Sequence, residues 1–344
     1  MSETITYQCP NCGGGLHFDP EKQKYSCEYC LSDFTQEELE TIRPETASAE
    51  KEENEAYLYT CPNCGAEIVT DGTTAATFCY YCHNPVILSG RLTGEYNPDY
   101  VIPFGIDRDH AVEVFNSWMK KKRYVPNAFY CEEQIEKLSG VYFPYLLYSC
   151  VADGDLEAKA TRVRVWVSGN YQYTETQTFG VRRRGKMRIR HVTRGALKKA
   201  NRVLTEGILP YDMKKLQPFS MGYLSGFVAE RRDMEEKDFS DEVKQEIRQF
   251  AMDSLRNSVG GYDRVSVDHN QTVLRNEKWE YALLPVWTVT YRDEAKNQMY
   301  YFTINGQTGK VCGKLPVDSR KLFILFLEIF LPVFLLMLLM GYLI

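Results

Sequence analysis

A chain of 344 residues with 44% hydrophobic and 25% charged positions is long enough for two or three domains with buried cores, which excludes disorder throughout. The formal net charge of −5 averages an acidic stretch near residue 45 and a basic one near residue 190, so the sum says little about partners. The opening residues, MSETITY, carry neither a basic nor an apolar run, so no secretory leader is expected and the 11 cysteines are expected as thiols rather than disulfides.

Eight of those cysteines fall into two sets, Cys9, Cys12, Cys27 and Cys30, then Cys61, Cys64, Cys79 and Cys82. Each set is CxxC, fourteen residues, CxxC, and the second repeats the first at a shift of 52. Flanking residues repeat too, YQCPNCGGG against YTCPNCGAE and SCEYC against FCYYC, which marks an internal duplication. In a CPxCG knuckle the backbone N–H groups turn toward sulfur while Gly13 or Gly65 takes the unusual backbone angle. Four thiolates without a vacancy suit a closed structural site, and zinc is the expected ion, one per set. A redox CxxC lacks the βαβ context it needs, and iron–sulfur clusters draw on other spacings. Segments this short bury too little to fold alone, so metal binding is expected to drive their folding. His17 and His83 are expected bystanders, and Cys131, Cys150 and Cys312 core or surface thiols.

Between the sets, Thr35 to Ala56 has eight acidic and two basic residues and no apolar period, the pattern of a flexible, self-repelling linker that lets two ribbons reorient. Beyond them, Asp107 is placed to cap a helix whose stripe is Ala111, Val114, Phe115 and Trp118. Residues 141–181 alternate with period two and are punctuated at Asp153-Gly154 and Ser168-Gly169-Asn170, predicting a β-meander of at least three strands, with DGDLE as a hairpin turn rather than a calcium loop. Ser240 to Val259 predicts a helix with Val243, Ile247, Phe250, Ala251 and Leu255 on one stripe, closed by Gly260-Gly261. Strand patterns follow in YDRVSVDHN, YALLPVWTVTYR and MYYFTINGQTGKVCGKL.

From Arg182 to Arg202 there are ten Lys or Arg and no acid. Arg183, Arg184, Lys186, Arg188 and Arg190 are the candidates for contact with anionic lipid or nucleic acid; the competing reading is a solvated face balancing acidic surface, and no aromatic stacking platform is interleaved in the run. From Leu322 to Ile344 the chain runs 23 residues with one charged group, Glu328, about 34 Å as a helix, which predicts a transmembrane span. Lys310, Lys314, Arg320 and Lys321 precede it, so the positive-inside rule places the bulk of the chain in the cytoplasm of a single-pass cell-membrane protein. Glu328 snorkels toward the interface or contacts a membrane partner.

The expected fold class is α+β: two N-terminal four-cysteine zinc ribbons, a mixed body with antiparallel sheets and one C-terminal transmembrane helix. The expected division is ribbon 1 over 1–34, the acidic linker over 35–57, ribbon 2 over 58–92, an α+β domain with meander and basic segment over 93–218, a second α+β domain over 219–316 and the membrane tail over 317–344.

The paired CPNCG ribbons, RRRGK around Gly185, LPYDMKKLQPFSMGYLSGFVAE over 209–230, LLPVWTVTYR and YYFTINGQTGKVCGKLP together resemble the TFIIB-type zinc-ribbon proteins of Firmicutes, the YdjG-like, phage-shock-associated membrane family. The resemblance implies an envelope-stress role, with a flotillin-like (SPFH) protein among the partners and recruitment of a PspA-like protein as the outcome. No phosphate-binding GxxxxGK[ST] loop accompanies the ribbons, and His110, His191 and His269 sit in no nucleophile motif. An adaptor rather than an enzyme is therefore expected, with a membrane-tethered nucleic-acid binder as the alternative.

Overall fold

The computed structural model describes residues 3–41, 45–51, 57–79, 84–92, 94–126, 135–293 and 298–343. The N-terminal third supplies strands β1 (Glu3–Thr6), β2 (Leu16–Asp19), β3 (Lys24–Cys27) and β4 (Asp33–Phe34), helix α1 (Gln36–Thr41), then β5 (Glu45–Lys51), β6 (Tyr57–Thr60), β7 (Glu67–Thr70), β8 (Thr74–Phe78) and β9 (Pro85–Leu88). There follow β10 (Tyr100–Val101), α2 (Arg108–Lys120), the long strands β11 (Ser139–Ser168) and β12 (Tyr171–Gly195), α3 (Arg202–Gly207), β13 (Gln217–Pro218) and β14 (Val228–Glu230). The chain continues through α4 (Ser240–Asn257), β15 (Arg264–Asp293), β16 (Gln298–Asn305), β17 (Val311–Gly313) and α5 (Ser319–Leu343).

This corrects the α+β expectation. The described residues are mostly β, and one large sheet is mixed rather than antiparallel: β14 joins β11 in parallel, Val141 opposite Val228, while pairing antiparallel with β8. The pairing is long-range, made by a three-residue strand with no alternation long enough to announce it.

The chain forms two units that interleave in sequence, residues 1–144, 197–231 and 283–344 in the first, 145–196 and 232–282 in the second. The first holds an aromatic core in which Phe104 stacks on Phe227 at 4.1 Å and Trp287 donates to the Ile106 carbonyl at 3.0 Å. Asp107 caps α2 as expected, accepting from His110 N at 2.8 Å, and Ala111, Phe115 and Met119 are its buried stripe. The acidic segment expected as a flexible linker contributes α1 and β5, and β5 pairs with both β1 and β6, Glu3 opposite Ser48 and Ala49 opposite Tyr59. Backbone pairing needs no apolar pattern, which is why the composition concealed it.

In the second unit β11 and β12 form one hairpin, from Tyr145 opposite Gly195 to Ser168 opposite Tyr171. Asp153-Gly154 is therefore mid-strand rather than a turn. A side chain on Gly154 would meet Leu255 Cδ1 at 2.5 Å, and Gly154 lies opposite Gly185. The two glycines let α4 approach the strands closely. Leu156, Ala158, Ala160 and Val181 pack with Leu255 and Val259 beneath that helix. Phe250, expected on the buried stripe, is 61% exposed.

The C-terminal helix α5 forms, but among the described residues no helix is long and apolar enough to cross a membrane. This overturns the transmembrane tail and the single-pass cell-membrane localisation built on it. Glu328 falls within the helix, and its charge opposes burial in hydrocarbon. Lys321 Nζ donates to the Val125 carbonyl at 2.7 Å and Asp318 accepts from Arg320 N at 2.9 Å. Phe323, Phe326, Phe330 and Phe334 stack in file along its exposed surface.

Candidate metal centres

Both cysteine sets lie in the first unit. In the first set, β2, β3 and β4 form a small separate sheet, with Leu16 opposite Cys27 and Tyr25 opposite Phe34. Gly13 N donates to the Cys9 carbonyl at 2.8 Å with φ +75°, and Leu31 N to the Cys27 carbonyl at 2.9 Å with φ +59°. These two tight turns aim the sulfurs at one another. Cys9 Sγ lies 3.5 Å from Cys30 Sγ, Cys12 Sγ 3.4 Å from Cys27 Sγ, and all four fall within 4.8 Å. A tetrahedron with metal–sulfur bonds of about 2.3 Å has edges of about 3.8 Å, so four cysteines so placed fit one ion.

The second set repeats the geometry. Gly65 N donates to the Cys61 carbonyl at 2.9 Å with φ +73°, Cys79 N to the Asn84 carbonyl at 2.9 Å, and Cys64 Sγ lies 3.6 Å from Cys79 Sγ. Cys61, Cys64 and Cys79 are grouped within 4.8 Å; Cys82 and His83 lie outside the described residues, as does Cys131. The first cysteine of each knuckle is buried (Cys9, Cys27, Cys61, Cys79) and its described second cysteine exposed (Cys12, Cys30, Cys64).

The electrostatics of the bare sulfurs show what the sites demand. Burial pushes the Cys61 thiol up to about 12 and raises Cys9, against N–H groups of Asn11 and Cys12 that favour its thiolate. The hydroxyl and backbone N–H of Ser32 push the Cys30 thiol down to about 6. Sulfurs this close resist ionising together, and a divalent cation reverses that balance by stabilising every thiolate at once. The two cysteine groups can therefore hold metal ions. His17 takes no part, its Nε2 being 3.9 Å from Glu28 Oε1.

The basic run follows β12 as far as Gly195, and there it faces DGDLE across the hairpin: Asp155 opposite Arg184 and Glu157 opposite Arg182. Arg182 binds Asp155 through two nitrogens at 3.1 and 2.7 Å, and Arg184 Nη2 lies 2.8 Å from the same carboxylate. The run is thus partly neutralised by the acidic strand beside it. Arg184, Lys186, Arg188 and Arg190 alternate as exposed positions, while Arg183 falls on the half-buried set between them. Glu328, expected to seek a membrane partner, lies 3.8 Å from Arg123 of its own chain.

Two features escaped the sequence reading. Tyr29 and Leu31 flank Cys30 and are 74% and 81% exposed, although SCEYC drew attention only to its sulfurs. The 209–230 segment holds the ribbons: Phe18 N donates to the Ser225 carbonyl at 2.9 Å, Ser225 Oγ donates to the Leu16 carbonyl, and Tyr223 lies edge-on to Phe18 at 5.5 Å. Four residues later Ala229 pairs with Ala76 of β8.

No family model matches the chain, and no solved structure matches it. It is 33% identical over 317 residues to protein YdjG of Bacillus subtilis (strain 168), a match covering 92% of each chain. The chain belongs to the YdjG family. Similarity over that length extends well beyond the two cysteine sets, so YdjG-family membership takes in residues of both structural units.

Proposed function

We propose that the chain is a zinc-ribbon adaptor, which binds other proteins through a surface that two structural zinc ions keep rigid. The observation that carries this reading is the knuckle of the first set, where Tyr29 and Leu31 are largely exposed beside a sulfur ligand. Large apolar side chains on a stapled turn lose little conformational freedom on binding, the property of an interface anchor. Leu31 holds a left-handed backbone angle, φ +59°, that leucine adopts only at a cost. A set of four sulfur donors leaves no open coordination position for a substrate, which favours a structural ion.

The partner suggested by the family resemblance is a PspA-like protein, in an envelope-stress complex that also includes a flotillin-like (SPFH) component. The test is titration of the full zinc-loaded chain against such a purified PspA-like protein. Saturable binding, weakened at least tenfold in the double variant Tyr29→Ala/Leu31→Ala, supports the adaptor. Equal binding by the variant removes the knuckle from the interface. Binding of single-stranded nucleic acid in place of protein would favour the rival reading, which the Asp155 pairing of Arg182 and Arg184 weakens.

A further inference from the structure

In the second unit β12 pairs with β11 and with no other strand among the described residues, so its outer edge makes no ladder there. The register with β11 is regular from Tyr171 to Ile189. The two faces of this edge strand differ. α4 covers the odd-numbered one, where Val181 and Met187 pack in one cluster with Leu255. The even-numbered face carries Arg182, Arg184, Lys186, Arg188 and Arg190, all exposed. Its acids are engaged toward one end: Asp155 and Glu157 hold Arg182, Asp155 also holds Arg184, and Asp153, opposite Lys186, pairs with Arg275 at 3.7 Å. Arg188 faces Val151. Lys186, Arg188 and Arg190 are left without a carboxylate partner among the described residues.

We propose that this edge takes an extended acidic segment of a partner protein as an added strand, its backbone pairing with β12 and its carboxylates, at every second position, lying over Lys186, Arg188 and Arg190. Residues two apart on a strand stand about 7 Å apart on one face, so an acid-x-acid-x-acid segment meets the three cations in step. Exposed ion pairs contribute little singly; main-chain pairing supplies the affinity and the charges select the partner. A second copy of β12 would set cations against cations, which destabilises a strand pair. Single-stranded nucleic acid matches the charge but needs rings to stack on, and no ring stands on the open face of β12 from Arg182 to Arg190. This edge shares no residue with the Tyr29 and Leu31 knuckle, so either surface can fail without the other.

The test is calorimetric titration of the full zinc-loaded chain with an alternating glutamate–threonine heptapeptide that begins and ends in glutamate. The same residues sorted into an acidic and a neutral block, the alternating peptide N-methylated along its backbone, and oligothymidylate are titrated in parallel. Saturable binding of the alternating peptide, at least tenfold weaker for the two altered peptides and for the chain variant Lys186→Glu/Arg188→Glu, supports the added strand. Absence of saturable binding to the folded wild-type chain overturns it, as does equal binding of either altered peptide or equal binding by the folded variant. Oligothymidylate binding that is tighter than the peptide's and lost in the same variant also overturns it, in favour of nucleic acid. Should the variant fail to fold, the two altered peptides decide on the wild-type chain.

Discussion

The two cysteine sets share a sequence and differ in their surroundings. The first closes over its own small sheet, β2, β3 and β4, and touches the rest of its unit through α1, residues 220–226 and the hydrogen bond from Gln23 Nε2 to the Phe104 carbonyl. The second is spliced into the large sheet: β8 pairs with β14 and β9, and β9 pairs with β1, the strand that leads into the first set. Its cysteines Cys61 and Cys79 belong to a buried cluster with Tyr59, Ile68, Val86 and Leu88. A duplicated module has become a peripheral finger in one copy and part of the framework in the other, so equal chemistry at the two metals is expected to have unequal structural reach.

Removing each metal separately gives the largest contrast. Cys61→Ser/Cys64→Ser should destabilise the whole first unit, by about 5 kcal/mol or more, seen as loss of its cooperative thermal transition. Cys9→Ser/Cys12→Ser should release its ion and raise hydrogen exchange over 7–34 while the large sheet stays protected. Equal damage from both variants would break the contrast.

Gly226→Ala sharpens it from the other side. Gly226 has φ +89°, and an added Cβ would sit 2.8 Å from His17 Cβ. The change should cost about 2 kcal/mol and loosen the first set, leaving exchange protection in β8 and β9 intact. Gly13→Ala and Gly65→Ala should each cost about 1 kcal/mol through their positive φ alone, since a Cβ at either would meet nothing within 4 Å. Matching losses there would show that the knuckles are equivalent and only their settings differ.

The smallest effect lies in the second unit. Arg182 and then Arg184 hold the Asp155 carboxyl well below the usual carboxylate range. A carboxyl depressed in the folded state stabilises above its unfolded pKa of about 4, and that contribution is lost as pH falls through the folded value. Asp155→Asn should therefore narrow the stability difference between neutral and acid pH, measured by thermal midpoints, without altering metal content.

Much of the candidate site was legible because its signals are local. A CPNCG turn needs only its own glycine and neighbouring N–H groups, and the repeat at 52 residues exposed both copies. Asp107 and the α2 stripe were readable for the same reason. What escaped depends on distant partners. Gly154 follows an aspartate, a turn signal in isolation, yet is small because Leu255 of α4 packs on it. Val228–Glu230 is too short to show a period, and only its fit between β8 and β11 makes it a strand. The apolar run after Leu322 suggested a membrane span, but among the described residues no helix is long and apolar enough to cross a membrane, and Glu328 keeps a charge within the run.

The most direct measurement is the metal content of the purified full chain by mass spectrometry under native conditions. The account predicts two zinc ions per wild-type chain and one in each double-cysteine variant, Cys9→Ser/Cys12→Ser and Cys61→Ser/Cys64→Ser. A folded wild-type chain that carries no zinc, or variants that retain both ions, would contradict it.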